Sequence, residues 1–198
     1  MLEDLPADHP WRDDVQTIVN ETLRCRKIVK GLLDFSRQSK PQRTLLQMNE
    51  IIEDVLALVR NQPAFSGVTV SYDLDPALPT ILADADQLRQ VVLNIVLNAA
   101  EAMTGRGGEL RLASRGLPDG KAIEITFADT GPGIPDEVQA RMFEPFFTTK
   151  KTGTGLGLSI VYGIVERHRG SLRLETTPGG GATFRLTIPV NGARDDDD

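Results

Sequence analysis

Two short glycine-bearing strings, DTGPGI at Asp129 to Ile134 and GTGLGL at Gly153 to Leu158, restrict the fold of this chain more than any other feature. Lacking a Cβ, glycine serves where the backbone turns at positive φ or approaches another group closely, and it weakens helix and strand interiors. The first string opens on a carboxylate. Between the strings lies FEPFFTTK, Phe143 to Lys150, and ahead of both runs an apolar stretch with two asparagines, VVLNIVLNAAEAM. Each string alone is a weak signal. Their order describes one pocket, with two tight turns at its rim and an amide-bearing helix behind it.

The 198 residues, 40% of them hydrophobic, suffice for one core, or for one domain with a helical appendage. No run of about 18 apolar residues occurs, and the opening MLEDLPADHPWRDD is acidic where a secretory leader is basic and then apolar. The expectation is a globular piece without membrane contact. A net charge of −6 disfavours nucleic acid, since phosphate contacts need clustered Lys or Arg. The one basic region, CRKIVKGLL followed by SRQSKPQR, reads as a solvated helix face and linker. A single cysteine, Cys25, excludes an internal disulfide and a cysteine-rich zinc site; it fits the reducing cytoplasm and a buried helix position.

From Trp11 to Arg37, Val15, Ile18, Thr22, Cys25, Val29 and Leu32 recur in steps of three and four, the seam of a coiled coil or bundle helix. Ala7–Asp8 can cap its start, with Pro10 in the first turn. The polar Ser36 to Arg43, with Pro41, reads as a linker. Met48 to Arg60 fits an amphipathic helix capped by Asn49, with Ile51, Ile52, Val55, Leu56 and Leu58 inward. Val68 to Leu74 and Thr80 to Ala83 read as strands, and Asp84 or Asp86 opens the asparagine helix. Gly108 to Gly116 and Lys121 to Phe127 form neighbouring strands around a turn at Pro118, Asp119 and Gly120. A loop of about 25 residues follows, long enough to imply a functional reason. Then come a helix from about Gly155 to Arg169 and a hairpin, Ser171 to Thr176 and Ala182 to Val190, around PGGG. The tail RDDDD is expected to be disordered. The resulting division is 1–43, a helical region and linker; 44–190, the pocket domain; and 191–198, an acidic tail.

Asn94 and Asn98 are four apart and share a helix face. Taken alone, the spacing fits two core amides bonded to backbone. The glycine strings downstream reverse that preference: the carbonyl oxygen of Asn98 suits Mg²⁺, which takes few protein oxygens and keeps waters and phosphate oxygens. Asp129, at a strand end before Gly131 and Gly133, can accept from the exocyclic amine of adenine and discriminate against guanine by about 1–3 kcal/mol. The same residues fit an ordinary turn equally well. Gly153, Gly155 and Gly157 precede a helix whose free N–H groups favour an anion. Neither the GxxxxGK[ST] loop nor the dinucleotide fingerprint is present. Lys150 can meet outer phosphates, although Lys150 and Lys151 also fit plain loop solvation. Phe143, Phe146 and Phe147 suit either a lid that packs down on a nucleotide or a loop pinned on the core. Read together, the residues describe a pocket for ATP and Mg²⁺.

With these residues in hand, the chain resembles, from about Met48 to Pro189, the catalytic and ATP-binding domain of sensor histidine kinases, in the superfamily of gyrase, Hsp90 and MutL. FEPFFTTK and NAAEAM are most similar to the nitrogen-regulatory branch. The resemblance implies an α/β fold, a two-layer Bergerat-type sandwich of a mixed sheet backed by helices, preceded by a long N-terminal helix. It implies Asn98 on Mg²⁺, Asp129 on adenine, Lys150 and the second glycine string near the phosphates, and Thr183 beside Asp129 through water. Carried over box by box, the nucleotide positions also include Glu101, Ala102, Gly131, Gly133, Ile134, Phe147, Thr149, Gly153, Thr154, Gly155, Leu156, Gly157 and Leu158. Lys150 and Asn94 take the catalytic positions. Hydrolysing members of the superfamily place a glutamate where this chain has Asn94. An amide cannot take a proton at neutral pH, so phosphoryl transfer is expected over hydrolysis.

Such kinases phosphorylate a histidine on the first helix of a dimeric four-helix bundle. Neither His9, in ADHPWRDD, nor His168, in VERHRG where a basic residue suits a helix C-terminus, matches the acceptor motif. The helix ending LLDFSR resembles the second bundle helix instead. The expectation is a kinase portion whose acceptor histidine lies upstream, working as a homodimer in its parent and signalling to a response regulator, with any membrane anchor elsewhere in the parent. The alternative is an ATP-gated regulatory or chaperone-like module without kinase activity.

Overall fold

The computed structural model describes residues 6, 9–36, 42–150, 153–176 and 180–191. Along these residues the chain forms α1 (Arg12–Ser36), β1 (Thr44–Leu46), α2 (Met48–Val59), a 3₁₀ turn (Pro63–Phe65), β2 (Val68–Leu74), β3 (Ile81–Ala83) and α3 (Ala85–Ala102). It continues through β4 (Gly108–Gly116), β5 (Ala122–Asp129), the single turn α4 (Asp136–Gln139), α5 (Gly157–Arg167), β6 (Ser171–Thr176) and β7 (Ala182–Pro189). The Ala7–Asp8 cap, most of the Ser36–Arg43 linker, Lys151, the first part of the PGGG turn and the RDDDD tail lie outside the described residues, as does the side chain of Leu32.

Alternation builds the sheet. Along β5 and β7 every second residue is buried, placing Ile123, Ile125, Phe127 and Asp129 on one face beside Ala182, Phe184, Leu186 and Ile188. The strand order is β2-β4-β5-β7-β6, parallel between β2 and β4 and antiparallel elsewhere, so the sheet is mixed as expected. β1 and β3 pair separately. Helices α2, α3 and α5 cover the apolar face, with α3 packed against both others and against β5. Each fully buried large side chain here, such as Phe127 or Ile95, contributes about 1.5–3 kcal/mol. The other face is polar and carries ion pairs, among them Glu124 with Arg115 at 2.6 Å and with Arg185 at 3.3 Å.

Asp84 settles where α3 begins, its carboxylate accepting from the backbone N–H groups of Asp86 and Gln87. His168, at the end of α5, closes on the same point: its Nε2 accepts from the Asp84 N–H at 3.2 Å while Nδ1 bonds the Ile164 carbonyl at 2.8 Å. That pattern requires a neutral ring, and burial pushes the His168 pKa down. His168 is thus an uncharged link between helices, not the helix-terminal cation expected.

Four other expectations are corrected. Asn49 does not cap α2; it lies inside the helix, donating to the Asp75 carbonyl at 2.8 Å and accepting from Ser114 Oγ at 2.8 Å, which ties α2 to the sheet. Leu58 faces solvent at 63% exposure, because the buried stripe runs through Ile52, Val55, Leu56 and Val59. Pro10 precedes the first helical turn. Cys25 is exposed, as are Ile18 and Val29, so the seam of α1 has no partner within the described residues. Among those residues no helix is long and apolar enough to cross a membrane.

Candidate functional site

Between α3, α5 and the 129–155 segment lies a cavity of about 590 Å³. Its floor is Asp129, the last residue of β5 and only 7% exposed. Oδ1 of this carboxylate accepts from the N–H of Gly131 at 2.8 Å and of Ala182 at 3.2 Å. Among the described residues Oδ2 has no such donor, which leaves it for a ligand. Burial raises the Asp129 pKa, and the two backbone N–H groups act against that rise.

Glycine makes this arrangement sterically possible. A Cβ on Gly131 would lie 2.8 Å from Asp129 Oδ1, and one on Gly181, at φ 91°, would lie 2.1 Å from the Asp129 carbonyl oxygen. A Cβ on Gly133, at φ 77°, would sit 3.1 Å from the Gly181 carbonyl oxygen. The first glycine string and the β6–β7 hairpin thus pack backbone against backbone around one carboxylate. The resemblance brings the hairpin to the site at Thr183, but no motif marks Gly181 or the Ala182 N–H; the signal that could have found them is the density of glycine in GGGA just before a strand.

At the other end stand Asn94 and Asn98, both half-buried on α3. Asn94 Nδ2 donates to the Gly157 carbonyl at 3.4 Å, a long bond to the start of α5. The ammonium of Lys150 lies 3.2 Å from Asn98 Oδ1 and 2.5 Å from Glu101 Oε2. α5 opens without a side-chain cap at Leu156, so its first N–H groups face this end, where an anion would satisfy them. Gly155, at φ 69°, places its carbonyl 3.0 Å from the Phe146 N–H, and a Cβ there would lie 2.3 Å from the Phe146 carbonyl carbon. Phe146 itself has φ 67° and is 56% exposed. Of the three phenylalanines, Phe143 packs on the core and stacks with Tyr162 at 5.3 Å, while Phe147 lines the cavity under the guanidinium of Arg141 at 4.4 Å. The segment is therefore pinned at two rings and open at the third.

Asn94, Asn98, Glu101, Ala102, Asp129, Gly133, Ile134, Phe147, Thr149, Lys150, Gly153, Thr154, Gly155, Gly157 and Leu158 all border this cavity. Gly131 stands behind Asp129, and Leu156 is buried in the core at 3% exposure. Thr183 is a correction: it pairs with Ala128 and Glu175, on the sheet face opposite to Asp129, and the hairpin reaches Asp129 through the Ala182 N–H instead. Lining residues that the motifs did not reveal include Val138, Met142 and Phe184. No group of three or more His, Cys, Asp or Glu among the described residues could cage a metal. Asn98 with Glu101 beside it fits Mg²⁺ only in company with phosphate oxygens and water, the coordination that ion favours.

A family model described as histidine kinase-, DNA gyrase B-, and HSP90-like ATPase matches residues 83–192. The chain is 37% identical over 195 residues to the sensor histidine kinase ZraS of Klebsiella oxytoca, covering 98% of this chain and 42% of ZraS. It spans less than half the length of the curated relatives it matches. Full-length ShkA in complex with AMPPNP superposes with a TM-score of 0.76 at 28% identity, over 97% of this chain and 41% of that one. The histidine kinase ThkA in complex with the response regulator TrrA gives a TM-score of 0.76 at 29% identity, over 94% of this chain and 53% of that one.

Proposed function

Since the chain belongs to the family of histidine kinase-, DNA gyrase B- and HSP90-like ATPases, we propose that it binds Mg²⁺·ATP in this cavity and acts as the catalytic portion of a sensor histidine kinase. The carrying observation is that a buried carboxylate with one oxygen to spare and an Asn–Lys–Glu cluster border the same cavity. Asp129 Oδ2 accepts from the exocyclic amine of adenine, its orientation held by Gly131 and Ala182. Asn98 is the residue to hold Mg²⁺, which supplies charge neutralisation on the phosphates when bound. The uncapped start of α5 and Lys150 serve the phosphate oxygens. Asn94, bonded to the Gly157 carbonyl, has no basic atom with which to activate water, which favours transfer to another side chain over hydrolysis.

The receiving group is a histidine on an acceptor helix. His168 is excluded from that role by burial and by its bonds to Asp84 and Ile164, and His9 precedes α1 in non-helical chain. The exposed apolar residues of α1, Ile18 at 64% and Val29 at 55%, suit packing in a homodimeric bundle. A response regulator is the downstream partner, and the need for ATP puts this portion in the cytoplasm. Incubation with γ-labelled ATP tests the reading. The expected outcome is no label on the chain alone and acid-labile, alkali-stable label on an added acceptor-helix hairpin. Label on neither, with AMPPNP bound in calorimetry, would remove the kinase reading and leave a nucleotide-binding module.

A further inference from the structure

Lys150 does not wait in solvent for a phosphate. Its ammonium is held in the cavity by Asn98 Oδ1 at 3.2 Å and Glu101 Oε2 at 2.5 Å. Its backbone is held as well, the N–H donating to Thr148 Oγ1 at 3.1 Å and the carbonyl accepting from the Gly153 N–H at 3.2 Å. A Cβ on Gly153 would lie 2.5 Å from Thr148 Oγ1, so a side chain there would press on the hydroxyl that accepts from the Lys150 N–H.

Asn98 Oδ1 is also the oxygen that Mg²⁺ would take, and one acceptor therefore faces two cations. A magnesium ion demands its ligand oxygen at about 2.0–2.1 Å. An ammonium left on that oxygen would stand within a few ångströms of a double positive charge, where the repulsion in a part-buried site is large. Glu101, three residues beyond Asn98 on the same face of α3, is what makes the present arrangement favourable. It is a carboxylate at a place where an anionic ligand is to be received.

We propose that Lys150 is the resident cation of the metal position, that Glu101 is the positioning residue that keeps it there, and that Lys150 is exchanged at Asn98 only when metal and nucleotide arrive together. The inference rests on the nucleotide reading above. Without metal, a triphosphate must draw Lys150 off Glu101 and then face that carboxylate unshielded. With metal, Lys150 is displaced from Asn98 toward the phosphates. Glu101 thereby makes nucleotide binding depend on the metal, a role separate from any direct contact with ATP.

The test follows the side chain itself. In the full chain with labelled lysines, the Lys150 ¹³Cε resonance, assigned by its absence in Lys150→Met, should move on adding Mg²⁺ with AMPPNP. It should hold its position with AMPPNP in EDTA. Glu101→Gln should move it toward free lysine before any ligand is added; Glu101 is 49% exposed, so this change leaves the core intact. In calorimetry, the ratio of AMPPNP affinities with and without Mg²⁺ should fall at least threefold in Glu101→Gln. A Lys150 resonance that moves equally with and without metal, or an unchanged affinity ratio in Glu101→Gln, would overturn the exchange while leaving the nucleotide site standing. Failure of the unaltered chain to bind AMPPNP in Mg²⁺ would sink both.

Discussion

The Asp129 end of the cavity is held by backbone, and the Lys150 end by side chains. Around Asp129, two N–H groups and three glycines hold the carboxylate in a buried place, and neither donor can shift without moving main chain. Around Lys150, the ammonium of a side chain that is 38% exposed bonds an amide and a carboxylate, each able to rotate away. The difference teaches that one end is set before a ligand arrives and the other is arranged to be exchanged. Preorganised groups discriminate between ligands because they cannot relax around a wrong one, whereas exchangeable ion pairs respond to charge.

The strongest way to break this contrast is Gly181→Ala. The new Cβ would meet the Asp129 carbonyl oxygen at 2.1 Å with the backbone at φ 91°. Positive φ alone costs a residue with a side chain about 1–3 kcal/mol, and the collision adds to it. A urea unfolding curve should show a loss of about 3 kcal/mol or more, together with loss of AMPPNP binding. A loss under about 1 kcal/mol would mean that the hairpin yields and that the Asp129 end is not rigid.

Asp129→Asn sharpens the contrast from within. Removing a charge-assisted hydrogen bond worth about 1.5–3 kcal/mol should weaken AMPPNP roughly 10- to 150-fold in calorimetry, with folding stability unchanged or higher at neutral pH. The sign of the stability change follows from the raised pKa. The folded state keeps this proton to a higher pH than the unfolded chain does, so the ionised carboxylate opposes folding above its folded pKa, and that opposition fades as pH falls through it. Nucleotide affinity should run the other way, falling as protonation removes the acceptor. An affinity that stays flat across acid pH would separate Asp129 from the ligand.

The smallest effect belongs to the exchangeable end. Lys150→Met should weaken AMPPNP in Mg²⁺ only a few-fold, in keeping with about 0.2–1 kcal/mol for a solvent-screened charge, and leave the urea midpoint in place. The Lys150 contribution should shrink with added salt while that of Asp129 does not. Equal salt sensitivity at the two ends would erase the distinction.

Much of the fold was legible because its causes are local. Alternation along Ile123 to Phe127 and Phe184 to Ile188 needs only a strand with one buried face, and the Asp84 cap needs only two N–H groups within three residues. Asn49 was misread for the converse reason. An amide at a helix start is a cap by local rules, yet its partners are Asp75 and Ser114, supplied by other elements. Cys25 was expected to be buried because its spacing fits a seam, but spacing alone cannot supply the helix that would cover it. In the cavity, Asp129 and the glycines were conspicuous as residue types; Thr183 was misplaced because strand parity decides its face, and parity depends on where β7 pairs with β5.

By itself, the sequence determined the chemical inventory of this protein: a carboxylate among glycines, two amides one helical turn apart, a lysine before a glycine-rich helix start, and no glutamate at position 94. Those follow from residue type and short spacing, which folding does not alter. Only the tertiary structure decided which of them meet. The Ala182 N–H reaches Asp129 across 53 residues and Lys150 reaches Glu101 across 49, and such contacts exist because sheet pairing and helix packing bring distant segments together. Hydrophobic burial selects that arrangement for the whole core at once, so no local stretch of sequence records it.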